Sequence, residues 1–243
     1  MTAVSSARQP WVLMYHSVGD ASDDPYSVTI TPAVFERQLR WLRRQGLRGV
    51  AISELLDARS HRGLVGLTFD DGYADFATTA VPLMQRFGFT ATTYVLSGLL
   101  GDRNRWDEPG PVKPLMTAEQ VRAVADAGFE VGSHGARHVS LLEAPPDVLE
   151  HEVAGSRAAL AELLGRHVRG FTYPYGHVGQ REVAAVRTAG YDHACAIWPG
   201  ASTGRHALLR SFAGERDGVL RLTAKRARDW WRARSALERA GTP

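Results

Sequence analysis

Seven short apolar runs, rich in β-branched and aromatic residues, alternate with amphipathic stretches along most of this 243-residue chain. The runs are residues 11–15, 49–52, 64–69, 90–96, 129–132, 169–173 and 193–197; the amphipathic stretches are 31–45, 53–58, 73–87, 117–127, 144–164 and 179–189. The punctuation agrees with the periodicity. Thr31-Pro32 reads as an N-cap followed by proline at the first helical position, and Thr117-Ala118-Glu119-Gln120 as a capping box. Gly46, Gly88, Gly128, Gly165 and Gly190 each follow a helical stretch, where a terminating glycine belongs. Strand–helix alternation implies a parallel sheet, and about seven units favour closure over an open sheet. The expected fold is therefore α/β, a deformed (β/α)7-type barrel in a single domain over 1–243, with 11–63 supplying its first strands and helix. No internal repeat or low-complexity linker marks a boundary. The longest irregular piece is 97–116, which carries Trp106; a loop of that length in a compact fold is usually functional. Residues 219–240, with Trp230, Trp231 and several arginines, read as a helix covering the barrel wall with a solvated basic face.

A hydrophobic content of 44% and a charged content of 23% are those of an ordinary soluble domain. The net charge of +3 is far from the clustered basic stripe of nucleic-acid binders, so no nucleic-acid partner is expected. Cys195 is the single cysteine, which excludes an intramolecular disulfide. Residues 1–10 hold one arginine and no apolar core, and 11–15 is too short for a signal-peptide core or a membrane span. The expectation is a cytoplasmic protein without a membrane segment; the oligomeric state is left open.

The polar residues at the ends of the apolar runs carry the chemistry. Thr68-Phe69-Asp70-Asp71-Gly72 places two adjacent carboxylates after one run, and Ser133-His134-Gly135-Ala136-Arg137-His138 places two imidazoles after another. His16 follows the first run, and Tyr173-Pro174-Tyr175-Gly176 the sixth. Strand C-terminal ends share one face of a βα barrel, and active sites sit on it. Alone, Asp-Asp-Gly reads as a turn, and one His-x-x-x-His spacing is unsurprising among nine histidines. On a helical turn that spacing sets both rings on one side. One Asp and two His make a three-ligand shell that leaves a metal open to water or substrate, and the spare Asp can act as a base toward metal-bound water. His16 reads equally as a polar cap, a supporting hydrogen-bond partner or a catalytic group. His61, His151, His167 and His206 read as surface residues, and His177 and His193 as neighbours of the rim. Trp106, Tyr26 and Trp198 are candidate rim aromatics for a sugar face, or plain packing.

Thr-Phe-Asp-Asp-Gly, then Ser-His-x-x-x-His, then Tyr-Pro-Tyr-Gly, resembles the polysaccharide deacetylases with a NodB-homology domain, carbohydrate esterase family 4. The motifs run from about Leu64 to Tyr175, and the homology core would cover about 64–243. The resemblance implies that Asp71, His134 and His138 hold a divalent metal, usually Zn2+, with Co2+ or another divalent ion able to substitute. It implies that Asp70 is the base, and that the Tyr175 backbone N–H helps to hold the oxyanion. The substrate implied is an acetylated carbohydrate, N-acetyl or O-acetyl.

Two departures from the family pattern stand out. The usual Arg-x-Pro-Tyr segment has no arginine here, because Thr172 or Tyr173 occupies its place; Arg210 is the candidate to orient Asp70 instead. No late Leu-x-His follows Arg210, so His16 becomes the first candidate for the general acid, with water as the alternative. The rival readings are a carbohydrate-binding pseudoenzyme and a different 2-His-1-Asp metalloenzyme, such as an iron oxygenase.

Overall fold

A computed structural model of the chain describes residues 10–106, 108–198 and 204–240, with side chains described through Asp229. Residues 1–9 of the segment read for an export signal, and the side chains of Trp230 and Trp231, lie outside the described residues. The chain runs through β1 (Val12–Tyr15), a short parallel pair β2 (Ser17–Val18) and β3 (Thr29–Ile30), α1 (Pro32–Arg44), β4 (Arg48–Val50), α2 (Ile52–Asp57) and β5 (Leu64–Phe69). A π-helical turn, Phe76–Ala80, leads into α3 (Val81–Gln85); β6 (Thr92–Val95), α4 (Ala118–Asp126) and β7 (Glu130–Ser133) follow. Next come α5 (Pro146–Glu150), a second π-helical turn His151–Gly155, and α6 (Ser156–Leu164), then β8 (Gly170–Thr172), α7 (Gln180–Thr188), β9 (His193–Ala196), β10 (Leu208–Leu209), β11 (Ser211–Phe212) and α8 (Val219–Ala240).

All pairings of the main sheet are parallel, in the order β10-β9-β8-β7-β6-β5-β1-β11. β10 pairs with β9 and β11 with β1, and Arg210 alone separates them. One interrupted strand thus joins the two edges and bends the sheet into the deformed single-domain barrel expected from the alternation. β4 pairs with the first half of β5 (Arg48 with Leu64), and β6 takes over at Thr68. The two-residue strands β2, β3, β10 and β11 are too short to show a period in sequence.

Alternation along the strands divides the apolar residues between two clusters, as a period of two requires. Leu13, Tyr15, Phe69, Val95, Val131 and Phe171 join the main cluster with helix residues such as Phe35, Leu39 and Leu160. Val12, Tyr94, Cys195 and Leu208 form a smaller inner cluster with Ile52 and Leu55 of α2. Each fully buried aliphatic or aromatic side chain contributes about 1.5–3 kcal/mol. The barrel interior is narrow: a Cβ at Gly132 would lie 2.5 Å from the Tyr94 ring. The expected caps form. The Thr31 side chain accepts from the Val34 N–H ahead of α1, and Thr117 and Gln120 form a reciprocal capping box on α4. Among the described residues no helix is long and apolar enough to cross a membrane.

Candidate metal centre and active site

The end of β5 delivers both carboxylates. The Asp70 N–H donates to the Tyr15 carbonyl at 3.0 Å, which continues the β1–β5 pairing one step. The Gly72 N–H then donates back to the Asp70 carbonyl at 2.9 Å, closing a three-residue turn around Asp71 at φ +69°. That conformation is strained for an aspartate and is found where function over-determines the backbone. Gly72 itself has φ +72°, and a Cβ there would sit 3.0 Å from the Val95 side chain. The turn sends the two adjacent side chains to different partners.

Asp71 faces the imidazoles. Its Oδ1 lies 3.3 Å from His134 Nε2 and 3.4 Å from His138 Nε2, with all three residues buried. Neither approach has hydrogen-bond geometry, and Asp71 Oδ1 is a buried oxygen without a hydrogen-bond partner among the described residues. His134 Nδ1 donates to the Thr172 carbonyl at 2.9 Å, because a carbonyl only accepts; Nε2 therefore presents its lone pair to the centre. The reading of His134 and His138 as neighbours on a helical turn is corrected. Residues 134–138 form an irregular loop after β7, with Gly135 at φ +88° and His138 at φ +61°. Two left-handed residues, rather than a helical repeat, bring the rings to 5.0 Å between centroids. Trp106 stacks on His138 at 4.5 Å, and Tyr175, itself at φ +61°, meets it edge-on at 4.6 Å.

The donor set fits a divalent cation. The three ligand atoms lie within 4.8 Å of one another. Ligand atoms at tetrahedral zinc distances stand roughly 3.3–3.5 Å apart, which the separations of Asp71 Oδ1 from the two imidazole nitrogens match. Burial pushes His138 down to about 3, keeping it a neutral potential ligand. Burial would raise the Asp71 carboxyl, but the neighbouring imidazoles hold it well below the usual carboxylate range. Burial also opposes charge on His134, yet contact with Asp71 lifts it above the ordinary histidine value.

Asp70 turns to Arg210. The guanidinium grips it through both nitrogens, Nη1 to Oδ1 at 2.6 Å and Nη2 to Oδ2 at 2.7 Å, and Nη1 also donates to Thr68 Oγ1 at 3.2 Å. Both residues are buried, and Arg210 occupies the gap between β10 and β11. Burial would raise the Asp70 carboxyl, but the Arg210 charge and its hydrogen bonds prevail and hold it below the ordinary aspartate value. Thr172 and Tyr173, which occupy the family's usual arginine position, do other things. Thr172 lends its carbonyl to His134, and the Tyr173 hydroxyl donates to the His206 carbonyl at 2.9 Å.

A cavity of about 210 Å3 opens over these groups, lined among others by His16, Tyr26, Asp70, Trp106, His138 and Tyr175. His16 Nδ1 is buried without a hydrogen-bond partner among the described residues. The Tyr26 hydroxyl donates to the Glu108 carbonyl and so ties the segment after β2 to the 97–116 loop. Trp198 is 64% exposed, in an isolated bridge with His177, and its backbone N–H donates to the carbonyl of Gly176, which lines the cavity, at 2.8 Å. One rim assignment is corrected, that of His193. His193 opens β9, at the opposite end of the barrel from the site, fully buried and 3.7 Å from Glu130. The Thr172 carbonyl was not foreseeable, because a backbone acceptor leaves no residue-type signal.

Removing Arg210 tests what the pair does. Arg210→Met strands a buried carboxylate, which costs about 3–5 kcal/mol of stability. Metal content should persist below the lowered melting temperature. Arg210 depresses the Asp70 pKa and burial alone raises it, so the acidic limb of the pH–rate profile should move upward. An unmoved limb in a folded, metal-replete variant would detach Arg210 from Asp70's chemistry.

A parallel barrel that gathers buried acid and imidazole groups at its C-terminal mouth has the layout of a barrel enzyme. The family profile described as polysaccharide deacetylase matches residues 57–194, more than half of the chain. The chain belongs to the polysaccharide deacetylase family, the one its three motifs resemble, and is a hydrolase of carbon–nitrogen (amide) bonds. A Bacillus subtilis (strain 168) protein that carries a polysaccharide-deacetylase name, YxkH, is 26% identical over 82% of this chain and 69% of its own length. The poly-beta-1,6-N-acetyl-D-glucosamine N-deacetylase of Escherichia coli (strain K12) is 34% identical over 98 residues, 35% of this chain and only 14% of that protein. The polysaccharide deacetylase BC0361 from Bacillus cereus shares the fold, with a TM-score of 0.74 at 23% identity over 88% of this chain and 67% of its own.

Proposed function

We propose that this chain is a metal-dependent deacetylase that hydrolyses the N-acetyl groups of a sugar polymer. The observation that carries the reading is the buried Asp71–His134–His138 cage beside an arginine-held Asp70, all opening into one cavity. The poly-N-acetylglucosamine activity in the name of the Escherichia coli relative supports the substrate class. Asp71, His134 and His138 would hold a divalent cation, zinc by the two-nitrogen, one-oxygen donor set. Bound there, such a cation supplies Lewis acidity that polarises the acetyl carbonyl and lowers the pKa of the attacking water.

The chain's own groups do the rest. Asp70, kept ionised by Arg210, accepts the proton of the water as its oxygen bonds to the carbonyl carbon. The Tyr175 backbone N–H donates to the developing oxyanion. His16, on the same cavity wall, protonates the leaving nitrogen as the carbon–nitrogen bond breaks, giving acetate and a free amine. Trp106 and Tyr175 offer aromatic faces to the sugar ring. Purified protein loaded with zinc should release acetate from N-acetylated glucosamine oligomers and lose that activity on chelation. Metal bound without acetate release from any acetylated glycan would favour the pseudoenzyme.

A further inference from the structure

His134 and His138 differ in how their rings are held. His134 has the Thr172 carbonyl behind Nδ1, whereas His138 Nδ1 is buried with no hydrogen-bond partner among the described residues. Metal-ligating histidines nearly always have such a partner, which fixes the ring. His138 must therefore be placed by its ring walls and by the backbone that carries it. In that backbone Gly135, at φ +88°, takes a conformation open to glycine, whereas His138, at φ +61°, is strained. Such residues persist only where their surroundings over-determine them.

The surroundings form a two-sided clamp. On one side the carbonyls of Gly135 and Ala136 accept from the N–H groups of Ser97 and Gly98, both at 3.1 Å. On the other side the N–H groups of Ala136 and Arg137 converge on one carboxylate oxygen, Glu152 Oε2, at 2.7 and 3.0 Å. Glu152 is 2% exposed and sits in the π-helical turn between α5 and α6, a local irregularity common at functional sites. A Cβ at Gly135 would lie 2.6 Å from the same oxygen, so the loop rests directly on the carboxylate. Ser133 Oγ, which accepts the Gly135 N–H, meets Ser156 Oγ of α6 at 2.7 Å and ties the loop to the same helix.

We propose that Glu152 is a positioning residue for metal binding: its carboxylate, through the Ala136 and Arg137 amides, holds the 134–138 loop so that His138 meets Asp71 and His134. The inference rests on the metal centre proposed above. Glu152 touches neither metal nor substrate, so its effect falls on cation affinity rather than on the chemical step.

The test is zinc affinity by chelator competition, with melting of the metal-free protein measured alongside. Glu152→Ala leaves two amides without their acceptor and should weaken zinc binding by about 10–100-fold, the usual cost of losing an outer partner. Glu152→Gln keeps one acceptor oxygen and should recover most of that loss. Saturating zinc should return turnover toward the parent value. Parent-like zinc affinity in Glu152→Ala, or lost turnover that excess zinc does not restore, would overturn the proposal. A merely structural Glu152 would lower the melting temperature of the metal-free protein and leave affinity alone. Should Glu152→Ala not fold, amide hydrogen exchange in the metal-free parent decides. Ala136 and Arg137 amides that are protected both in the parent and in Glu152→Gln support the clamp, and unprotected amides in the parent refute it. Failure of the parent to bind zinc at all would instead remove the metal centre itself.

Discussion

His134→Ala is expected to abolish metal binding and activity together. His134 supplies one of three proposed ligand atoms, and the Thr172 carbonyl already fixes its Nε2 toward the centre. Losing an outer partner costs about 10–100-fold in metal affinity, so losing a ligand outright should cost more. The variant should emerge from gel filtration with little metal by elemental analysis and release no acetate. Its fold should survive, because the main apolar cluster involves other residues. The parent protein, in turn, should melt higher with zinc than without, since a ligand that binds only the native state stabilises it by mass action. One equivalent of metal retained by His134→Ala would break the Asp71–His134–His138 assignment.

The barrel was legible because its signals are local. Apolar runs of four to seven residues, most of them preceded by a helix-terminating glycine, mark β1, β4 to β9 and their helices. Chain direction then sets Asp70, His134 and Tyr175 on one face with no further information. What stayed hidden was non-local or backbone-encoded. The pairs β2–β3 and β10/β11 have two residues per strand, too few for a pattern. The Asp70–Arg210 pairing, 140 positions apart, was named as a candidate from the sequence, but the closure of the barrel between β9 and β1 that brings the two together was not legible there. The four-residue spacing of His134 and His138 suggests a helix, but Gly135 and His138 adopt left-handed conformations that spacing cannot report. Glu152 looks like any helix-face acid in the sequence; the π-helical turn and the loop above it make it a buried acceptor for two amides. Trp106 and Trp198 were equal candidates in sequence, and only the path of the 97–116 loop separates the one that stacks on His138 from the one left exposed.

Asp70→Asn should keep the metal and lose the reaction. The amide matches the carboxylate in shape but cannot take a proton from water, and general-base loss costs about 10²–10⁴ in rate, or about 3–5 kcal/mol of barrier. Asp71 is untouched, so metal content should equal that of the parent. The substitution also replaces an acceptor that takes two Arg210 hydrogen bonds with a group whose single oxygen can take them, leaving a buried guanidinium short of its counter-charge. A lower melting temperature is therefore expected, and rates must be compared where both proteins are folded. The pH profile distinguishes base loss from destabilisation. In the parent, activity should rise with pH as Asp70 loses its proton, at a point held below the ordinary aspartate value by Arg210. Asp70→Asn should erase that limb from the residual rate, whereas a variant that is merely less stable would keep it and lose amplitude. Turnover within a few-fold of the parent, with the limb intact, would place the base on another residue and leave the Asp70–Arg210 pair a structural role in closing the barrel.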